Sequence, residues 1–174
     1  MGNMKTIVNT HNKRTLNENN EAIKKKCNCQ RKTTCPLKGE CLSENTLYAG
    51  TISSNLPNYS RKEYAGISAP PWKFRSSNHK LSFNKREYAK CEIAKEVWKI
   101  KDQGGDFNIE WRIIGHAPAY NPVVKKCNLC IAEKVYIAEN MENNLINLIN
   151  KRGELISQCM HRKKYALSQL KARE

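Results

Sequence analysis

The stretch EYAGISAPPWKFRSSNHKLSF, from Glu63 to Phe83, predicts how strands and helices are joined in this chain. Its first residues belong to a short strand, with Tyr64 and Gly66 near the strand's end. The helix that follows carries Arg75 and His79 four residues apart, a spacing that places two side chains on one helical face. Two interpretations are open: a solvated helix after a turn, or a site that binds a phosphate and cleaves a bond beside it.

Pro70 and Pro71 separate this strand from the helix, because proline ends a strand and is favoured in the first turn of a helix. Elsewhere, alternating apolar residues predict strands and apolar residues at helical intervals predict helices. The predicted elements are strands over 46–53, 62–68 and 107–114, and helices after Pro71, over 91–101, over 128–140 and over 145–173, the last with a break near Gly153. A hairpin loop over 55–60 joins the first two strands. The sequence therefore predicts an α+β fold, with a small three-stranded antiparallel sheet flanked by helices.

Lysine and arginine total 31 against 16 acidic residues, which gives a formal net charge of +15 spread along the whole chain. Such an excess favours a polyanionic partner, because phosphate contacts release counterions. An anionic membrane surface is the competing partner, but no strongly amphipathic basic helix or lipidation signal supports it. No apolar run reaches the length of a membrane span, and the N-terminus lacks the apolar stretch of a secretory signal. We therefore expect an intracellular protein with reduced thiols that binds nucleic acid.

The chain contains 8 cysteines, and their spacing predicts metal binding. A first group of four has the spacing C-x-C-x5-C-x5-C and consists of Cys27, Cys29, Cys35 and Cys41. Four thiolates this close can surround one tetrahedral zinc ion, since zinc is redox-inert and accepts sulfur ligands. A disulfide framework or small buried hydrophobic residues are the alternatives.

A second group is split between two segments of the chain. It combines C-x2-C with C-x-H and consists of Cys127, Cys130, Cys159 and His161. This set also suffices for a closed structural zinc site, so we expect two zinc ions with no catalytic role. Cys91 remains, and we expect it to be a buried thiol.

The composition and the cysteine spacing divide the chain into three parts. Residues 1–26 are polar and rich in lysine and asparagine, which is typical of a linker or a helical lead-in. Residues 27–45 form a zinc knuckle. Residues 46–174 contain the predicted sheet and helices together with the second zinc site and a C-terminal helical segment.

Six motifs, in order and over nearly the whole chain, resemble the GIY-YIG endonuclease domain of Penelope-like retroelements. Each motif is weak by itself, whereas six in the same order and spacing are specific. They are CNCQRKTTCPLKGEC, LYAG, EYAG, RSSNH, CNLCIAEK and LINKRGELISQCMH. The resemblance implies a GIY-YIG nuclease-like fold and a nuclear enzyme that nicks DNA with the help of a metal ion. The nick leaves a 3′-hydroxyl that primes reverse transcription.

The same resemblance implies roles for individual side chains. Tyr48 and Tyr64 match the tyrosines of the first and second motifs, and Tyr48 helps to activate the attacking water. Arg75 contacts the scissile phosphate, and His79 shuttles a proton or is the partner of a tyrosine. A tyrosine is a poor base at neutral pH, and a nearby cation is expected to favour its phenolate form.

Two further site residues come from the later motifs. Glu133 matches the lone carboxylate that binds catalytic Mg²⁺ or Mn²⁺, and Asn150 matches an asparagine beside the site. One carboxylate with several waters suits magnesium, which keeps much of its hydration shell. The candidates for contacts to nucleic acid are Lys73, Lys80, Lys85 and Arg86.

The resemblance also implies partners. The opening NTHNKRTLN looks like the linker that follows a Penelope-like reverse transcriptase. We therefore expect DNA as the substrate, with RNA and a reverse transcriptase of the same polyprotein as further partners, this chain being a fragment of it or derived from it.

The sequence departs from the family pattern at Ala65, where the second motif usually has isoleucine, and at Pro70 and Pro71 before the arginine. A catalytically weakened, zinc-stabilised nucleic-acid-binding module is therefore the alternative function. A zinc-scaffolded protein-interaction module is a third, which the net charge disfavours. Without the resemblance, the tyrosines would be interpreted as strand aromatics and Glu133 as a member of a surface ion pair.

Overall fold

A three-stranded antiparallel sheet with helices on both faces forms the centre of the computed structural model, which describes residues 26–30, 33, 35–143 and 147–171. The predicted lead-in over 1–26 lies outside the described residues, except for Lys26. The elements are β1 (Thr46–Ser54), β2 (Lys62–Ser68), α1 (Trp72–Asn84), α2 (Glu92–Asp102), β3 (Phe107–His116), β4 (Tyr120–Asn121), β5 (Lys126–Cys127), α3 (Asn128–Asn143), α4 (Arg152–Leu155) and α5 (Met160–Lys171), with a 3₁₀ turn over Arg86–Tyr88.

The sheet has the order β2-β1-β3, so β1 is the central strand. The predicted hairpin between β1 and β2 is present, with Tyr48 opposite Gly66 and Gly50 opposite Tyr64. On the other side, the register against β3 shifts beside Tyr48, and Ile114 has no partner on β1. Such a bulge bends a strand and re-aims its side chains. The predicted α+β class and the three antiparallel strands are confirmed.

The two faces of the sheet contact different helices, because successive side chains of a strand point in opposite directions. One face carries Tyr48 and packs against α1 and α2, whose apolar residues include Ile93 and Val97. The other face packs against α3, where Leu129 and Ile137 are fully buried. The active-site candidates of β1 and β2 therefore point into the core that α1 completes.

The C-terminal segment over 145–173, predicted to be mostly helical, is not helical over residues 147–151. Leu148 forms a parallel bridge with Glu63, and the amide of Ile149 donates to the carbonyl of Glu63 at 2.8 Å. This segment extends along the free edge of β2, whose backbone groups need partners. The predicted break near Gly153 is also misplaced, since Gly153 lies within α4 and the interruption falls between α4 and α5.

The cysteine knuckle packs directly against the start of α1. The amides of Trp72 and Lys73 donate to the carbonyls of Ser43 and Cys41 at 2.9 and 2.8 Å. The first amides of a helix have no partner within the helix, so the knuckle supplies the acceptors that α1 lacks. Cys41 is buried in the same core as Tyr48. The knuckle thereby fixes the helix that carries Arg75 and His79.

Within the described residues, no helix is both long enough and apolar enough to cross a membrane.

Candidate active site and metal centres

Tyr48 lies at the centre of a buried polar cluster formed by β1 and α1. Its hydroxyl oxygen lies 2.7 Å from Nε2 of His79 and accepts a hydrogen bond from Nε of Arg75 at 3.0 Å. Because its two partners are four residues apart on α1, the helical spacing brings both to the same hydroxyl. Three residues that the sequence placed in one site therefore form one hydrogen-bonded cluster.

The hydrogen bonds of this cluster define a direction for the proton. Arg75 only donates, so the Tyr48 oxygen accepts from it. The Tyr48 O–H finds an acceptor in this cluster when Nε2 of His79 carries no proton. The neutral imidazole then carries its proton on Nδ1, which faces Sγ of Cys91 at 3.9 Å. The arrangement that satisfies all four groups directs the Tyr48 proton to His79 and the Nδ1 proton to Cys91.

Burial dominates the protonation of this cluster. It raises the pKa of Tyr48 to about 12, although the Arg75 charge acts in the opposite direction. Burial, followed by the Arg75 charge, lowers the pKa of His79 to about 3. Arg75 lowers the pKa of Tyr48, as the sequence-based expectation had it, but the loss of solvation outweighs the attraction of one guanidinium and the phenol stays protonated. Tyr48 and His79 are both neutral at neutral pH.

Aromatic rings fix the orientation of His79. Its ring stacks on Trp111 with 5.1 Å between centroids and on Phe83 with 5.9 Å. Gly50 makes room for this arrangement, since a Cβ at this position would lie 2.6 Å from the Trp111 ring. The imidazole therefore keeps one edge toward Tyr48.

Tyr64 lies next to Tyr48 on the neighbouring strand, and Gly66 separates them. A Cβ at Gly66 would lie 2.7 Å from the Tyr48 hydroxyl and 3.0 Å from the Tyr64 ring. The Tyr64 ring also meets the edge of His79 at 6.1 Å. Burial, reinforced by Tyr48, raises the pKa of Tyr64 well above its ordinary value. The glycine of the YAG motif thus leaves the space that both tyrosines occupy.

Glu133 extends from α3 into the same region. Burial raises the pKa of its carboxyl group to about 7, and the neighbouring Glu154 adds to this effect, while Arg75 opposes it. Within the described part of the chain, the Glu133 carboxylate makes no hydrogen bond or ion pair; Lys134, its neighbour in sequence, donates instead to the carbonyl of Ser157 at 2.8 Å. A half-buried carboxylate without such a partner suits a cation ligand better than a surface ion pair.

Asn150 holds the edge of β2 and does not reach the tyrosine hydroxyls by any hydrogen bond within the described residues. Its amide group accepts from the backbone N–H of Ala65 at 2.8 Å and donates to the Ala65 carbonyl at 2.9 Å. It also donates to Glu154 at 2.9 Å. Asn150 therefore positions β2 beside Tyr64, and the alanine at 65 lies on the face of the sheet opposite the two tyrosines.

A cleft of about 390 Å³ opens beside these groups. Arg75 and Glu133 line it, whereas Tyr48 lies behind Arg75 and is closed off from solvent. Pro70 also lines the cleft, as do three residues of the second cysteine group, Cys130, Cys159 and His161. The cleft therefore joins a cation, a carboxylate and the outer edge of the second cysteine group.

The first cysteine group has the geometry of a zinc site. Sγ of Cys41 lies 3.5 Å from Sγ of Cys27 and 3.7 Å from Sγ of Cys29. Cys35 completes the group, and the four sulfur atoms all lie within 4.8 Å of one another. A tetrahedron with zinc–sulfur bonds of about 2.3 Å has sulfur atoms about 3.8 Å apart. This group can hold one zinc ion, and all four thiols are free of disulfides.

The second group is assembled from distant parts of the chain. Nδ1 of His161 lies 3.3 Å from Sγ of Cys127 and 3.6 Å from Sγ of Cys130, and Sγ of Cys159 lies 3.4 Å from that of Cys130. The four ligand atoms again lie within 4.8 Å of one another and can hold a second zinc ion. These residues join the start of α3 to the start of α5, most of which is otherwise exposed.

The four basic candidates for nucleic-acid contacts divide into two pairs. Lys80 and Lys85 are exposed and make no ion pair within the described part of the chain. Lys73 instead donates to Oδ1 of Asn28 at 2.7 Å, and Arg86 forms a bidentate ion pair with Asp102 at 2.9 and 2.7 Å.

Sequence reasoning missed four residues of the site. Gly66 leaves space for the two tyrosines, and the Trp111 ring stacks on His79. Cys91 contacts Nδ1 of His79, and Phe74 lines the cleft. Gly66 could have been found from its position between tyrosines in the predicted hairpin. No sequence pattern predicts that Phe74 is exposed, because the sequence does not show which side chains of α1 stay uncovered when the helix packs.

Comparisons with protein-family models, with curated proteins and with solved structures found no match for this chain.

Proposed function

We propose that this chain is a metal-dependent DNA endonuclease of the GIY-YIG type that hydrolyses one phosphodiester bond and leaves a 3′-hydroxyl. The observation that carries the proposal is the Tyr48 hydroxyl, held between Arg75 and His79 behind a cleft that contains Glu133. A buried hydroxyl with a cation on one side and an imidazole on the other is suited to proton transfer next to a phosphate.

In this proposal, Tyr48 relays a proton. Its oxygen takes a proton from the attacking water while its own proton passes to Nε2 of His79. The resulting hydroxide attacks phosphorus, and the bond to the 3′ oxygen breaks with its electron pair on that oxygen. The 3′ oxygen then takes a proton from solvent water to become the 3′-hydroxyl, and His79 returns its proton to solvent after the product leaves. Burial and, after it, the Arg75 charge lower the pKa of the imidazole. The incoming phosphate offsets the Arg75 charge and thereby helps His79 to accept the proton.

Arg75 has a second role beside its hydrogen bond to Tyr48. Its guanidinium lines the cleft, so it can bind the scissile phosphate and stabilise the charge that develops on its equatorial oxygens. Arginine suits this role because its planar donors match a phosphate. The same side chain thus links substrate binding to the orientation of the attacking group.

Glu133 would hold the catalytic Mg²⁺ or Mn²⁺. Its carboxylate is half-buried, lines the cleft and is free of protein partners in the described part of the chain, which fits a hard cation that keeps several waters. When bound, the ion supplies Lewis-acid stabilisation of the leaving 3′ oxygen. One such centre cuts one strand, which produces a nick.

In the retroelement setting that the motifs imply, the nick would provide the primer for a reverse transcriptase, with RNA as the template. The two zinc ions would be structural. The first supports α1 through the knuckle, and the second supports the wall of the cleft.

Conversion of supercoiled plasmid to open circles tests the proposal. We expect wild-type protein to nick the plasmid with Mg²⁺ or Mn²⁺, and Glu133→Gln to lose this activity. Glu139→Gln is the matched control, because Glu139 is exposed on the same helix and does not line the cleft. Equal nicking by Glu133→Gln and wild type would show that Glu133 has no catalytic role. The absence of nicking by wild type would overturn the proposed nuclease activity.

The alternative is a nucleic-acid-binding module that has lost activity. The observation that favours it is the burial of Tyr48, which keeps the hydroxyl neutral and away from solvent. Tight DNA binding by both the wild type and Glu133→Gln, with no nicking by either, would select this alternative.

A further inference from the structure

Two large apolar side chains are exposed at the cleft that contains Arg75 and Glu133. Phe74, in the first turn of α1, is 63% exposed, and Met160, at the start of α5, is 59% exposed. Both line the cleft although they belong to helices far apart in the chain. Exposed aromatic and methionine side chains beside a reactive centre are candidates for substrate contacts.

The charges of the cleft favour a phosphate-bearing occupant. Three cationic side chains line it, from Arg75, Lys134 and Lys164, against one carboxylate, from Glu133. The net charge of the whole chain, +15, has the same sign. An apolar peptide or a lipid tail would leave these cations without an anionic partner, whereas a nucleotide pairs them with its phosphates.

The remaining polar groups of the cleft suit the edge of a base. Asn78 and Gln158 line it, and neither side-chain amide makes a hydrogen bond to the residues that the structure describes. An amide offers both a donor and an acceptor, which can pair with the hydrogen-bonding edge of a nucleobase once its base-pairing partner is removed. Phe74 supplies a ring face on which a base can stack.

We propose that the cleft binds one unpaired DNA nucleotide next to the scissile bond, with its base against Phe74 and Met160 and its phosphate toward Arg75. The proposal rests on the proposed nuclease function and names its substrate class. A base inside a continuous duplex is stacked and paired, so it has to be extruded before it can enter the cleft. A base that is already unpaired avoids this unfavourable step. The preferred substrate is therefore a duplex with a bulge or a junction between single and double strand.

The test is a binding comparison with zinc-loaded full-length protein and no added Mg²⁺. Two duplexes of the same sequence are used, one continuous and one with a single bulged base, and dissociation constants are measured by fluorescence anisotropy. We expect the bulged duplex to bind about tenfold more tightly, since extrusion is unfavourable only for the paired base. Phe74→Ala is expected to remove most of this preference, and Phe74→Trp to keep it.

Leu81→Ala is the matched control, because Leu81 is exposed on the same helix but does not line the cleft. Equal affinity for the two duplexes, or a preference that Phe74→Ala leaves intact, overturns the base site. Tighter binding of single-stranded RNA than of the bulged DNA also overturns it. Plasmid nicking is measured separately. Nicking without a preference for the bulged duplex would reject only the proposed base site. A preference for the bulged duplex without nicking would reject the proposed nuclease activity.

Discussion

The hydroxyl of Tyr48 and Nε2 of His79 lie 2.7 Å apart at a position where neither side chain is open to solvent. The same oxygen accepts from Arg75 at 3.0 Å, so the proton of Tyr48 is directed to the imidazole. In a site of low polarity such a hydrogen bond is strong, and burial keeps both groups neutral. The proposed reaction depends on this relationship, and four predictions test it and the structure around it.

Tyr48→Phe removes the hydroxyl and keeps the ring in the core. We expect the nicking rate to fall by about 10²- to 10⁴-fold, the range for the loss of a general acid–base group. Tyr88→Phe, at an exposed tyrosine outside the cluster, is expected to nick like the wild type. Rates are measured on supercoiled plasmid at saturating Mg²⁺. An active Tyr48→Phe protein would assign proton transfer to another group.

Gly66→Ala adds a methyl group that would lie only 2.7 Å from the Tyr48 hydroxyl oxygen, which is too close for van der Waals contact. We expect a loss of about 1–3 kcal/mol in the free energy of unfolding, typical of overpacking, and a strong decrease in nicking because both tyrosines must shift. Gly115→Ala is the control, since a Cβ there meets nothing within 4 Å. Urea unfolding and the plasmid assay measure the two effects. Wild-type stability for Gly66→Ala would show that the strands accommodate the methyl group.

His79 makes the stability of the protein depend on pH. Its folded-state pKa is about 3, below the ordinary value of 6.5, so between these values the unfolded chain binds a proton that the folded chain does not. The free energy of unfolding therefore decreases as the pH falls below 6.5, by up to about 1.4 kcal/mol per pH unit from this group. The titratable and charged groups that face the imidazole are Tyr48, Tyr64, Arg75 and Cys91.

His79→Gln removes this contribution, so its stability is expected to change less than that of the wild type between about pH 5.5 and 7.5. Urea unfolding of both proteins over this range gives the difference, and the cysteine groups, present in both, cancel. Parallel stability curves would mean that His79 has the same pKa in the folded and unfolded states.

Two single substitutions distinguish the metal centres. Cys27→Ser and Cys159→Ser are each expected to lower the zinc content from about two ions per chain to about one. Hydrogen exchange should then increase at different places: at the amides of Trp72 and Lys73 for the first variant, and along α5 for the second. Each variant is the control for the other. Identical exchange patterns would show that the centres do not act on separate elements.

The sequence predicted the elements whose signal is local. The alternation around Tyr48, the proline pair before α1 and the spacing of the cysteines all report on neighbours within a few residues, and the strands and metal groups follow from them. The prediction of a helix at the start of the C-terminal segment was wrong because it, too, used only local signals. Residues around Leu148 have helical periodicity, but the free edge of β2 offers backbone partners that a sequence window does not contain.

The sequence by itself determined which groups are available: the paired tyrosines, the i and i+4 arginine and histidine, and two cysteine-rich groups that can hold zinc. Only the tertiary structure decided their protonation and their access to solvent. Burial raises the pKa of Tyr48 to about 12 against the effect of Arg75. The packing of α1 leaves the Phe74 side chain exposed at the cleft. Both results depend on which surfaces meet after folding, because the desolvation of a side chain is set by its neighbours in space and not by its neighbours in sequence.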